Sequence, residues 1–369
     1  MRLLLLDQFS DMGGAQQCLL ALLPAIAARG WQATVGLPGE GEMFVRVRSL
    51  GFETAAIDCG PYESGRKSAA DVGRFAAGTP RLVQQIRRLA DRIDADLVYC
   101  NGPRLLPAAA LAALSRPILF HCHSYLAPGA ARRLAGLSLR QMKARVVGQC
   151  EYVAEPWRRY VGAERVSVIY NGVAGPAQAA ARHSGATPRV GCIGRIAPEK
   201  GQLEFVATAA RIHQSLPACR FVIYGAPLFG DAGAAHYEAR VHKAAAALPM
   251  EFPGWVDDVY HTMEQLDLLL VTSTGVEATT RVILEAFAAA LPVIAFRSGG
   301  IPEVIEHGVN GLLADSIDEM SQQSIRLLSA DSQVRVDMSR AARETWERRF
   351  TLERYQEEML RACFRNSVR

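Results

Sequence analysis

The sequence predicts an α/β protein made of two doubly wound parallel-sheet halves in series. Three observations predict it. Short apolar runs bounded by turn residues alternate with stretches of helical periodicity along the whole chain. Those runs are continuous rather than alternating, as in parallel strands covered on both faces. The alternation is interrupted once, near the middle, and then restarts. A length of 369 residues accommodates two such domains.

Taken in order, Arg2–Leu6 is a first buried strand, and Gln17–Arg29 is a helix that stops at Gly30. Ala33–Leu37 and Thr54–Ile57 read as strands, Cys59–Arg81 as a long polar loop and Leu82–Ile93 as a helix. Leu97–Cys100, Pro117–His121 and Val166–Tyr170 complete the strands of the first half. Residues 173–188 (VAGPAQAAARHSGATP) have no apolar period and read as a linker between a domain at 1–172 and a second at 189–348. In that second domain Val190–Ile193, Phe221–Tyr224, Leu268–Val271 and Val293–Phe296 read as strands. Leu203–Ser215, Ala234–Ala247, Val282–Ala290 and Met320–Leu328 read as helices. Leu352–Phe364, within the terminal segment 349–369, is helical by pattern.

Composition narrows the function. Half the residues are hydrophobic and 21% are charged, enough for a sizeable core. Lys and Arg number 41 against 37 Asp and Glu, and a net charge of +4 is too mild for a nucleic-acid binder. No apolar run reaches the roughly 18 residues of a membrane span, and Asp7 cuts short the only leader-like run. The expectation is a soluble, cytoplasmic chain. Its eight cysteines include no CxxC pair, which removes support for zinc ribbons and thioredoxin chemistry. They read as small buried hydrophobes in a reducing compartment.

Four motifs carry the chemistry. In DQFSDMGGAQQ (7–17), Gly13 and Gly14 open a helix after a strand, so backbone N–H groups face any anion placed there. An ordinary strand-to-helix turn is the alternative. A dinucleotide site is disfavoured, because the second strand ends Val35-Gly36-Leu37-Pro38 without the acid that would hold a ribose. In GRIAPEKGQLEF (194–205), Arg195 and Lys200 flank one loop at the carboxyl edge of a sheet. Such a pair suits a diphosphate, or is solvated surface. In STGVEATTRVILEAFAAALPVIA (273–295), Glu277 and Glu285 bracket a helix start near Thr280–Val282. Carboxylates there can accept from vicinal hydroxyls, or merely flank the helix. In FHCHS (120–124), His121 and His123 share a strand face. A third metal ligand is not in evidence, and a histidine at that edge can bond a substrate hydroxyl instead.

Jointly these segments resemble glycosyltransferase family 4, the retaining enzymes of the GT-B fold. The resemblance also takes in YNGV (170–173), FPGWVDDV (252–259), SGGIPEVIEHGVNGLL (298–313) and the final helix, and so spans nearly the whole chain. It implies two Rossmann-like domains facing each other across a cleft, with the 349–369 helix packed back on the first. It implies a hexose-type sugar moved from a UDP- or GDP-linked donor to a glycan, lipid-linked or small-molecule acceptor. It also implies a front-face route in which the leaving phosphate takes the acceptor's proton, with no cofactor, no essential metal and domain closure against water. By position, Arg195 and Lys200 would grip the diphosphate, Glu285 the ribose and Glu277 the transferred sugar. His121 would touch the sugar, Gly13 and Gly14 would offer backbone N–H to phosphate, and Thr280, Arg281, Val282 and Ile283 would supply further backbone contacts. The catalytic set is thus Glu277, His121, Arg195 and Lys200.

The chain departs from the family pattern in places. Ala278-Thr279-Thr280 replaces Pro-Phe-Gly, leaving Thr280 as N-cap, while Ala290 replaces a glycine and Ala174 an aspartate. The altered residues 278–280 leave the sugar open. Residues 127–147 hold five cations, no acid and several leucines, which fits either an anionic membrane surface at the inner face or an exposed helix with a packed underside. Arg66 and Lys67, in the long loop, are further candidates to reach an acceptor. Polysaccharide biosynthesis is the implied setting. A nucleotide-sugar sensor or scaffold, and a sugar-nucleotide epimerase, are the competing readings.

Overall fold

The computed structural model describes residues 1–60, 69–178, 187–227, 232–275, 277–329 and 332–367. They form two compact units, one of Met1–Asn171 with Leu352–Arg369 and one of Gly172–Thr351. The first holds a seven-stranded parallel sheet. Its strands are β1 (Arg2–Leu6), β2 (Gln32–Leu37), β3 (Glu53–Ala56), β4 (Leu97–Cys100), β5 (Ile118–Cys122), β6 (Arg145–Gly148) and β7 (Val166–Val168), in the order β3-β2-β1-β4-β5-β6-β7. Leucines 3 to 6 have essentially no exposure, as a strand covered on both faces requires. The helix Gly14–Ala28 packs on one face through Cys18, Leu19, Leu22 and Ile26.

The terminal helix Leu352–Ser367 joins that same core through Tyr355, Met359, Leu360 and Cys363. Tyr355 donates its hydroxyl proton to the Cys18 carbonyl at 3.3 Å, and Gln356 donates to that of Ala21 at 2.6 Å. Two polar tips thus satisfy backbone groups on an otherwise apolar contact.

The second unit holds six parallel strands: β8 (Arg189–Ile193), β9 (Arg220–Tyr224), β10 (Met250–Gly254), β11 (Leu268–Val271), β12 (Val293–Phe296) and β13 (Leu312–Ala314), in the order β10-β9-β8-β11-β12-β13. Its core stacks Phe205, Phe221, Leu268, Leu270 and Ile294.

Several elements differ from the expectations. The helix at 69–92 begins thirteen residues before the expected Leu82 and absorbs most of the expected loop. Gly73, Gly78 and Pro80 obscured it in the sequence, and Pro80 is tolerated within it. Arg66 and Lys67 lie outside the described residues. The 127–147 segment is not one helix: Ala130–Gln141 is helical, Lys143 turns the chain at φ +50°, and β6 follows. Of the expected linker, 179–186 lie outside the described residues. Val173 is buried, pairs its amide with the Phe350 carbonyl at 3.0 Å and accepts from the Trp346 indole at 3.1 Å. All eight cysteines are buried and none is in a disulfide. Among the described residues no helix is long and apolar enough to cross a membrane.

Candidate active site

Each sheet reverses its strand order once, between β1 and β4 in the first unit and between β8 and β11 in the second. Open α/β sheets bind ligands outside the carboxyl ends of the strands at such points. Both reversals gather polar side chains.

In the second unit three loops meet: 194–201 after β8, 272–280 after β11 and 297–300 after β12. Their contact is a close approach of backbones. Gly201 has φ +70°, and a Cβ there would lie 1.8 Å from the Thr272 carbonyl oxygen. Gly299 has φ +53°, and its Cβ would lie 1.7 Å from the Glu277 carbonyl oxygen. The Gly300 amide donates to that same oxygen at 3.0 Å, and the Thr274 and Gly275 amides donate to the Glu199 carbonyl at 3.2 and 3.3 Å.

On this frame Lys200 donates from Nζ to Oε1 of Glu277 at 2.5 Å. Their side chains are 25% and 15% exposed, so water screens the pair only in part. Arg195 pairs with Glu199, a residue the sequence reading passed over although it lies inside the same motif. Lys200 and Glu277 are therefore brought together, while Arg195 lies at the other end of the same loop with Glu199. Glu285 is tied elsewhere: Arg281 donates to its Oε1 at 3.2 Å. Tyr260 lies beside it. Burial and the Glu285 charge push that phenol's pKa up, while its hydroxyl donates to the Ala174 carbonyl.

The helix that follows spans Arg281–Ala288 with Thr280 at the N-cap position. Contrary to expectation the Thr280 side chain makes no capping bond. Nor is the Ile283 amide open to a ligand, because it donates to the Thr280 carbonyl at 3.1 Å. The buried Thr279 hydroxyl has no partner among the described residues. At the other end the Ala290 amide donates to the Phe287 carbonyl at 3.0 Å and Leu291 to Ala286 at 2.8 Å, the double bond of a Schellman stop. That stop wants glycine at Ala290, which instead sits at φ +53°. Relief of roughly 1–2 kcal/mol of strain outweighs the added freedom of the unfolded chain. Ala290→Gly should therefore raise stability by about 0.5–1 kcal/mol in denaturant unfolding.

In the first unit the expected anion turn has Gly13 as N-cap at φ −150°, with no side-chain cap on the helix that starts at Gly14. The histidines are corrected. His121 has no exposed surface, so in this arrangement it does not meet a ligand. Its Nδ1 bonds the Tyr99 hydroxyl at 2.5 Å, and burial beside His123 holds its pKa well below the usual range. The part-exposed histidine at this edge is His123, just past the end of β5. Its ring centroid is 3.8 Å from that of His121, and its Nε2 lies 2.7 Å from Oδ1 of Asn101. Asn101 in turn donates to Asp7 at 2.5 Å. Asp7 is fully buried, and burial raises its pKa to about 6 against the opposing bonds from Asn101, Phe9 and Gln16. Among the described residues no group of three or more His, Cys, Asp or Glu is placed to hold a metal ion.

Comparison with known proteins decides the family. The model described as Glycosyltransferase Family 4 matches residues 12–174, and that described as Glycosyl transferases group 1 matches 187–330. The chain belongs to glycosyltransferase family 4. Its two parallel-sheet units are those of the GT-B fold. A GDP-mannose-dependent alpha-(1-6)-phosphatidylinositol monomannoside mannosyltransferase of Mycobacterium tuberculosis is 33% identical over 173 residues, covering 43% of this chain and 43% of that relative's length. The lipopolysaccharide core biosynthesis glycosyltransferase LpsE of Rhizobium meliloti is 25% identical over 94% of both chains. Among solved structures HepE of Anabaena, in complex with UDP and glucose, aligns with a TM-score of 0.80 at 24% identity over 98% of this chain and 99% of that one.

Proposed function

We propose that this family 4 member is a retaining glycosyltransferase that moves a hexose-type sugar from a UDP- or GDP-linked donor to a glycan, lipid-linked or small acceptor. The observation that carries the reading is the Arg195–Glu199 and Lys200–Glu277 pairs held at one sheet reversal by glycine-locked loops. Cleaving a sugar–phosphate bond puts negative charge on the departing diphosphate. In the reading, Lys200 and Arg195 exchange a glutamate for that diphosphate, and the helix start that follows Thr280 is assigned to the same anion. Freed of Lys200, Glu277 turns to the sugar hydroxyls, and Glu285 takes the ribose. The open turn at Gly13 and Gly14 is assigned an anion contact. The acceptor oxygen bonds the anomeric carbon on the face the phosphate leaves, and the phosphate oxygen takes its proton. The two cations supply the charge that a metal otherwise would. Polysaccharide synthesis on the cytoplasmic side is the proposed setting, supported by one relative named for lipopolysaccharide core biosynthesis.

A thermal-shift panel tests the donor class. UDP or GDP at about 100 times its Kd should stabilise the protein by about 2.7 kcal/mol, and NAD should not. Transfer assays then read the anomeric configuration of the product. A product of inverted configuration removes the retaining mechanism. No nucleotide response removes the whole reading.

Contact with an anionic membrane is proposed for the helix Ala130–Gln141 and the residues after it. Leu134 and Leu137 are 48% and 58% exposed, and Arg133, Arg140, Lys143 and Arg145 are exposed in the same segment. Arg132 drops out, since it is buried, bonded to the Leu126 carbonyl and stacked on Tyr125. Co-sedimentation with vesicles containing anionic lipid should fall when Arg133 and Arg140 become Glu. Equal pelleting of wild type with neutral vesicles would count against the idea.

A further inference from the structure

The buried polar cluster of the first unit draws on three separate strands. Asp7 follows β1, Asn101 follows β4 and His123 follows β5, so only the parallel pairing β1–β4–β5 brings them into one row. The row can be read proton by proton. Asn101 is 2% exposed, and its Nδ2 lies 2.5 Å from Asp7 Oδ2 and 3.2 Å from the Ala15 carbonyl oxygen. Both neighbours are acceptors, so the amide nitrogen must face them. Asn101 Oδ1 is then the atom facing His123 Nε2, and as an acceptor it requires a proton on that nitrogen. Gln16 at 2.8 Å and the Phe9 amide at 2.9 Å hold the other Asp7 oxygen, which pins the start of the row.

The backbone that carries the ring is held as well. Gln149 donates to the His123 carbonyl at 2.7 Å, and Asn171, from the YNGV segment, donates to Gln149 at 2.5 Å. What remains is Nδ1 of His123, a buried atom with no partner among the described residues. Unpaired buried polar atoms are uncommon and mark strain or function.

We propose that Asp7 and Asn101 are positioning residues that hold His123 in its neutral Nε2–H tautomer, so that Nδ1 is offered as a hydrogen-bond acceptor to a ligand hydroxyl. Burial supports this by holding the His123 pKa down to about 4 against an opposing hydrogen bond with the Gln149 side chain, which leaves the ring uncharged at neutral pH. A donor-only cation at that place would repel a hydroxyl proton, whereas a lone pair accepts it. The ligand half of the proposal rests on the glycosyltransferase reading, since it takes the hydroxyl to belong to a sugar. The tautomer half does not.

Nitrogen-15 histidine spectra of the full chain separate the two halves. At neutral pH wild type should show His123 protonated at Nε2 alone, and Asn101→Ala should show a mixture of tautomers. Asn101→Asp keeps an acceptor oxygen, and should keep the tautomer while moving the His123 titration upward. A wild-type ring protonated at Nδ1, or a tautomer unchanged in Asn101→Ala, overturns the proposal. The wild-type spectrum decides the first point even where a variant does not fold. In transfer assays Asn101→Ala should raise the KM for the ligand whose hydroxyl is held about tenfold with kcat little changed. His123 Nδ1 should also shift when that ligand is added. A fixed tautomer in a protein that binds no nucleotide would retain the positioning claim and remove only the sugar.

Discussion

Lys200→Ala should lower kcat by about 10²–10³-fold, the range seen when one preorganised donor to developing negative charge is removed. The loss should fall on kcat more than on the donor KM, because the charge on the leaving diphosphate grows as the bond breaks. A second effect acts in the same direction. Glu277 is paired to Lys200 at 2.5 Å with a side chain only 15% exposed. Without the lysine a part-buried carboxylate would face the incoming phosphates, and like charges in a weakly screened place repel. Folding should suffer much less, by about 1–2 kcal/mol, because a quarter of the Lys200 side chain is in solvent. Lys200→Arg keeps the charge but replaces a compact ammonium by a planar fork, and should fall between the two. Steady-state kinetics with a competent donor, alongside denaturant unfolding, distinguish these effects. Product formation at the wild-type rate in Lys200→Ala would remove this residue, and the loop that carries it, from the chemistry.

The halves of the molecule were unequally readable from sequence. β1, β4, β11 and β12 are uninterrupted apolar runs, and their limits follow from composition alone. β10 was missed because Pro253 and Glu251 interrupt MEFPG, and β13 because LLA has only three residues; both are edge strands. Arg195, Lys200 and Glu277 were readable because each lies in a loop directly after a strand, where a charge has no reason to be buried unless something pairs it. His121 was favoured over His123 because both share a strand face. Deciding between them requires knowing that β5 ends at Cys122 and that Tyr99, from the neighbouring strand, closes over His121. The Asp7–Asn101–His123 row carries no local signal at all. Its members are separated by 94 and 22 positions, and no spacing rule reports that their strands are neighbours.

Gly201→Ala should be among the most damaging single methyls in the second unit. Its φ of +70° costs an L-residue roughly 1–2 kcal/mol. The added Cβ would stand 1.8 Å from the Thr272 carbonyl oxygen, and that obstacle is backbone at the end of β11 rather than a side chain able to rotate. Gly308 separates the two terms. It has φ +83° but nothing within 4 Å of its would-be Cβ, so Gly308→Ala bears only the conformational cost. Denaturant unfolding should therefore show a loss of about 1 kcal/mol for Gly308→Ala and at least about 3 kcal/mol for Gly201→Ala, the excess being overpacking. Equal losses would mean that loop 194–201 is not seated against β11 as described. The steric term also reaches the chemistry, because Lys200 immediately precedes Gly201 and the Thr272 hydroxyl donates to the Lys200 carbonyl at 3.3 Å. Moving the loop by the ångström or more needed to admit a methyl carries the Nζ away from Glu277. In whatever fraction of Gly201→Ala remains folded, nucleotide binding should weaken as well, whereas Gly308→Ala should bind as wild type does.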